Sequence, residues 1–240
     1  LWQRCFSEAL ALSGSALPIF RSYGNPKQLA EALVLKADIY YHSGDPEGAI
    51  PYLCEALDLS EDSMVDGLES IIRYNLVSAF AKAGYYLEAA EILSAGEISS
   101  EGKFDCHRQW LEGFVEQGLC RVGNAERLFI EAREGFTKRR QVGYAALVDL
   151  DLAVLYSEQG RDSEIPQLLL EAIPVFERLK CEREALAAVE LLRDAVGKNK
   201  FPMVLLREVR DKIEQVRINP SSQFVAKTAE LCETGPNTRA

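Results

Sequence analysis

Only two histidines, His42 and His107, occur in 240 residues, and that scarcity sets the first limit on the chemistry. A multi-histidine metal centre or a histidine-based proton relay is hard to assemble from two residues more than a repeat apart. The six cysteines, Cys5, Cys54, Cys106, Cys120, Cys181 and Cys232, include no CxxC pair. Their scatter through apolar helical patterns fits a reduced, cytoplasmic protein. The adjacent soft ligands Cys106 and His107 lack the further partners that a four-coordinate zinc site needs, and they read as the start of a helix. Neither metal nor cofactor is expected.

Long apolar runs are missing too. The best stretch, YAALVDLDLAVLY, is interrupted by Asp149 and Asp151 and falls short of the roughly 20 apolar residues of a membrane span. Positive charge is also short: Lys and Arg number 27 against 37 Asp and Glu, a formal net charge of −10. Nucleic acid is therefore not an expected direct partner, since phosphate binding needs a clustered basic patch. The run Lys138-Arg139-Arg140 reads as a solvated helix end, where cations oppose the helix dipole. GLCRVGNAE lacks the strand and glycine-rich loop of a phosphate site. Asp149 and Asp151, two apart on a helix, face different sides. No residue set supports an enzyme.

What is present is a repeat. Small residues recur at Ala9, Ala49, Ala89 and Ala125, with Ile165 in the matching place, so the steps are 40, 40, 36 and 40. Seven residues on, the same steps link Ala16, Ala56, Gly96, Ala132 and Ala172. Five residues before the marker stands a turn glycine, Gly44, Gly84 or Gly160, with Cys120 replacing it once. Four before that lies an aromatic, Tyr40, Phe80 or Tyr156, where Glu116 breaks the series. Three earlier again comes Ala37, Val77, Gly113 or Ala153.

This describes pairs of helices folded against each other. LVLKADIYYHSG and DLDLAVLYSEQG satisfy a period near 3.6 and not strand alternation. The glycine then ends the first helix, because it enters the left-handed region without steric penalty. In Gly44-Asp45-Pro46, Asp45 is placed to cap the second helix and Pro46 to open it. Small residues at Ala49, Ala56 and their equivalents let the helices approach closely. Helices are expected at about 2–13 and 15–22 (or one bent helix), 26–43, 46–59, 65–83, 86–95, 103–119, 122–138, 141–159, 162–179, 182–196 and 202–217. Pro18 and Pro174 are expected to bend their helices.

The pattern resembles the tetratricopeptide repeat (TPR) family, whose 34-residue unit carries small residues, an aromatic and a glycine in this order. The likeness runs from about Leu1 to Val196 in a longer register of 36 to 40 residues. It is also similar to the TPR portion of bacterial cytoplasmic regulatory proteins, on WLEGFVEQGLCRVGNAERLFIEAREGF and AALVDLDLAVLYSEQGRDSEI. The resemblance implies an all-α fold, a right-handed superhelical array of antiparallel helical hairpins (a TPR-like α-solenoid). Residues 1–25 are then the second helix of a truncated repeat, 26–196 four units and the start of a terminal hairpin, 197–218 a capping helix, and 219–240 a mostly irregular tail. A chain opening part-way through a unit, without Met, is expected to have an upstream neighbour.

In such arrays the first helices line a concave groove. Carried over through the register, the resemblance places there Asp38, Tyr41 and His42; Tyr74, Asn75, Ser78 and Lys82; and His107, Trp110, Phe114 and Gln117. Asn75 matches one position of the family's carboxylate clamp, but Ile71, Tyr74 and Asp38 stand where basic partners would be, so chaperone termini are not expected ligands. The implied function is a non-catalytic scaffold or adaptor binding a protein or peptide in the groove. The alternative is a sensor or oligomerisation domain of a bacterial regulator whose output domain lies upstream. The first helix, with an apolar face and no hairpin partner, is expected to meet an upstream segment or a second copy.

Overall fold

A left-handed residue recurs at helix ends along the chain and divides it into hairpins. Gly44, Gly84 and Gly160 have φ of 91°, 89° and 68°, and Cys120, Arg140 and Asn199 take the same region at 59°, 58° and 50°. Each closes a helix with a pair of backbone bonds. At Gly44 its own N–H donates to the Tyr41 carbonyl at 3.2 Å and the next N–H, of Asp45, to the Tyr40 carbonyl at 3.0 Å. The same pair recurs at Gly84, Cys120, Arg140, Gly160 and Asn199, so helix-end carbonyls that would otherwise be orphaned are satisfied.

The computed structural model describes residues 2–23, 25–63, 68–95, 105–178 and 183–218. The expected tail at 219–240 and the marker Gly96 lie outside them. The helices are α1 (Trp2–Tyr23), α2 (Pro26–His42), α3 (Pro46–Ser63), α4 (Leu68–Ala83), α5 (Tyr86–Ser94), α6 (Asp105–Gly118), α7 (Val122–Lys138), α8 (Val142–Glu158), α9 (Ile165–Arg178), α10 (Arg183–Lys198) and α11 (Met203–Ile218). No strand occurs among the described residues, and none of their helices is long and apolar enough to cross a membrane. α1 is one helix that continues through Pro18 to Tyr23, and α9 continues through Pro174 to Arg178. Asp45 caps α3 as expected, its Oδ1 accepting from the Gly48 N–H at 2.8 Å.

The chain separates into two compact units, 1–135 and 136–240. In the first, α1 packs on α2, α2 on α3, α3 on α4, α4 on α5, and α6 against both α4 and α5. Its core joins Leu17, Leu33, Leu53, Ile72 and Leu76 around the fully buried Ala30, Ala49, Ala56 and Ala79. The repeat's small residues sit where helices touch. Gly113 on α6 is the clearest: a Cβ there would lie 2.7 Å from the Phe129 ring of α7, so the close α6–α7 approach needs the missing side chain.

In the second unit α8 is buried without interruption from Ala145 to Tyr156, as a helix apolar all round must be. A short 3-10 turn, Asp162–Glu164, leads into α9. α8 packs on α9, α9 on α10, α10 on α11, and α11 back on α8. The last hairpin therefore closes a ring of four helices, with α11 and not α10 lying along α8.

Candidate functional site

The first helices of the first unit carry the residues expected to line a groove. Ala37, Asp38, Tyr41 and His42 of α2, Leu53 of α3, and Tyr74, Asn75 and Ser78 of α4 surround a cleft of about 200 Å³. The helical period explains the grouping: positions three and four apart lie on one face, and Asp38, Tyr41 and His42 on α2 meet the stripe Tyr74, Asn75 and Ser78 on α4. Asp38, Tyr41, Tyr74, Asn75 and Ser78 are half-buried, and His42 is exposed at the edge. The Tyr41 and His42 rings stand edge to face at 5.3 Å. Ser78 turns its hydroxyl back on its own helix, donating to the Tyr74 carbonyl at 2.9 Å.

Electrostatically the cleft centres on Asp38. Burial pushes its carboxyl above the usual carboxylate range, and His42, one turn along, pulls it part of the way back. A half-desolvated carboxylate is costly to ionise unless a cation approaches it. At about 200 Å³ the cleft is smaller than the ~300–1,000 Å³ usual for small-molecule sites.

The remaining expected residues are placed otherwise. Lys82 is exposed on α4 and does not line the cleft. His107, Trp110, Phe114 and Gln117 are half-buried on α6 and also stand outside the cleft lining. α6 contributes instead to a second, larger cleft of about 610 Å³ between α5, α6 and α7, through Glu112, Val115 and Glu116. The repeat register did not point to those three, because they fall on the opposite face from His107, Trp110 and Phe114. Leu53 was missed for another reason: it belongs to a second helix, and only packing brings it beneath the α2–α4 face.

The second unit shows what the corresponding face of α8 does. In the register, Asp151 stands where α4 has Asn75, Ser157 where α2 has Tyr41, and Glu158 where α2 has His42 and α4 has Lys82. Arg210 of α11 donates through Nε to Asp151 Oδ1 at 2.8 Å, with side chains 8% and 4% exposed. Arg207 of α11 pairs with Glu158. Ser157 donates its hydroxyl to the Phe201 carbonyl at 3.1 Å. Asp149 and Asp151, which the sequence left without a role, are both buried. On α11, Arg210 shares the buried side with Leu206, Val209 and Ile213. An Asp inside an otherwise apolar helix was the available signal, but its partner lies 59 residues away.

No protein-family model and no curated protein sequence matches the chain. Solved structures similar to it include a BtubC protein and a Rap protein. The crystal structure of BtubC (BKLC) from P. vanneervenii aligns with TM-score 0.62 and 19% identity over 98% of this chain and 95% of that one. The Rap protein complexed with Competence and Sporulation Factor aligns with TM-score 0.62 and 15% identity over 90% of this chain and 66% of that one. At these identities the likeness concerns the fold, an all-α helical repeat of tetratricopeptide-like type.

Proposed function

We propose that the chain is a non-catalytic interaction domain that binds a protein or peptide on the face built by its first helices, with Asp38, Tyr41, His42, Tyr74, Asn75 and Ser78 as the centre and Lys82, His107, Trp110, Phe114 and Gln117 as its extension along α4 and α6. One observation carries this reading: residues from two helices some 35 positions apart converge on a single cleft that combines ring surface, a desolvated carboxyl and amide and hydroxyl groups. Aromatic rings supply large contact area at small entropic cost, and a few polar groups set orientation. The Rap protein, of similar fold, is complexed with a factor, which supports binding as the use of such a scaffold.

The test is a partner recovered with the intact chain and measured by calorimetry. Tyr74→Ala and Asn75→Ala should each weaken it by about tenfold, as truncation of a central interface residue does. Leu87→Ala, on the α5–α7 cleft, should leave it within about twofold. Equal affinity for all four proteins would remove the assignment.

A second reading has its own observation. Leu12, Ile19 and Tyr23 of α1 are 72%, 55% and 78% exposed and lie on one stripe at helical spacing. Such a stripe suits contact with further helices, from an upstream segment or a second copy, as in a sensor or oligomerisation domain of a regulatory protein. Light scattering of the chain and of Ile19→Glu tests self-association: a concentration-dependent mass that Ile19→Glu abolishes supports it, and a monomer throughout opposes it.

A further inference from the structure

The binding face proposed above is the premise here, and the question is what chemistry it takes. The chain carries an internal answer on α8, where Asp151, Ser157 and Glu158 occupy the register positions of the α2–α4 face. All three are engaged by one helix and its lead-in: Arg210 on Asp151, Arg207 on Glu158, and the Phe201 carbonyl on Ser157. The apolar side of that helix, Leu206, Val209 and Ile213, is buried. A first-helix face of this sequence thus holds a helix whose apolar side is buried and whose arginines it receives on carboxylates.

The α2–α4 face offers the same chemistry and, among the described residues, stands open as a cleft of about 200 Å³. Asp38 supplies a carboxyl, one helical turn further along than Asp151 in the register, and Tyr41 and Tyr74 supply ring surface beside it. A guanidinium matches both, since it pairs with a carboxylate through a planar fork and stacks on aromatic faces. Burial makes the Asp38 carboxylate costly without a cation, and a net charge of −10 draws basic segments from a distance.

We propose that the α2–α4 cleft is a receptor for an amphipathic α-helix of another protein, anchored by an arginine set in the cleft against Asp38. The ligand reproduces on α2 and α4 the arrangement that α11 makes on α8. Its helix axis lies along the face, its apolar stripe covers the Tyr41 and Tyr74 rings, and Asn75 bonds its polar edge.

The probe is the chain's own prototype of such a helix, an acetylated and amidated peptide of residues 201–218 (FPMVLLREVRDKIEQVRI), titrated into the full isotope-labelled 240-residue chain. Saturable shifts of the Asp38, Asn75 and Ser78 amides are expected, with helicity gained by the peptide. Affinity should fall about tenfold with Asp38→Asn or Tyr74→Ala in the chain, and by a similar factor when two of the three peptide arginines, those at 207 and 210, become Gln. Asp38→Asn keeps the side-chain shape, and an unchanged circular dichroism spectrum with a melting temperature no lower than the parent's excludes loss of fold as the cause. Absence of saturable binding, or shifts confined to α8 and its neighbours, overturns the proposal. A Val209→Pro peptide that binds the cleft as tightly as the parent overturns the helical ligand while leaving the binding face standing. The partner measurements with Tyr74→Ala and Asn75→Ala judge that face separately.

Discussion

α4 and α8 occupy corresponding places in the repeat, yet one presents half-buried polar groups to a cleft and the other is enclosed. Tyr74, Asn75 and Ser78 on α4 line a cleft and are half-buried, whereas Leu150, Asp151 and Val154 at the same register positions on α8 are buried. Their own backbones do not differ in kind: each helix ends in a left-handed glycine, Gly84 or Gly160. The difference lies in α11, which covers α8 and pairs Arg210 with Asp151. Whether a first-helix face is enclosed or left as a cleft is thus decided by what is laid upon it.

The largest effect is expected where that covering is broken. Arg210→Ala breaks the buried ion pair with Asp151 and should destabilise the second unit by about 3–5 kcal/mol, the usual cost of removing one partner of such a pair. Urea unfolding followed by near-ultraviolet dichroism reads it. Replacing both partners, Asp151→Leu with Arg210→Met, should recover most of the loss. If the single and double variants are equally unstable, the pair is not what holds α11 to α8.

A smaller loss should follow in the first unit from Gly113→Ala. The added methyl meets the Phe129 ring, and overpacking of this kind costs ~1–3 kcal/mol. A stability equal to the parent would mean that α6 and α7 can part without penalty, and the small-residue register would lose its physical meaning there.

The left-handed turns give a gain in place of a loss. Cys120→Gly and Arg140→Gly should each stabilise by about 1 kcal/mol, because both side chains stand at positive φ, where a Cβ is penalised. Asn199→Gly should change little, since Asn tolerates this region. Thermal melts of the three variants rank them directly.

The smallest effect concerns Asp38. Its folded pKa lies above the ordinary 3.8, so the folded chain retains a proton that the unfolded chain has lost between the two values. Stability from this group is complete below the unfolded pKa and is lost as pH rises through the folded one. Asp38→Asn should remove that slope and leave the protein slightly more stable at neutral pH, as denaturation midpoints across the acid range would register. An unchanged slope would mean that the carboxyl is better solvated than its burial implies.

The hairpins themselves were legible in the chain. Gly44, Gly84 and Gly160 mark left-handed helix ends by residue type alone, and Cys120 was located by register where its type gives no hint. Ala49, Ala56, Ala89, Ala125, Ala132 and Ala172 are all fully buried, as close helix contacts require. The half of the candidate site on α2 and α4 was also legible, because the tetratricopeptide resemblance singled out the face and helical spacing gathers on it Asp38 with Tyr41 and His42, and Tyr74 with Asn75 and Ser78. The α6 residues were not resolved by the same rule: spacing puts them on one face of their helix but is silent on which neighbours cover that face.

The order of helices, their ends and their inward residues came from local chemistry, a period near 3.6 and turns that favour glycine, and those act within a few residues of one another. The pairing of Arg210 with Asp151, the approach of Leu53 beneath α2 and α4, and the covering of α8 by α11 were decided only in three dimensions. They join residues far apart in the chain, and no local period records which of two equivalent faces a distant helix will choose.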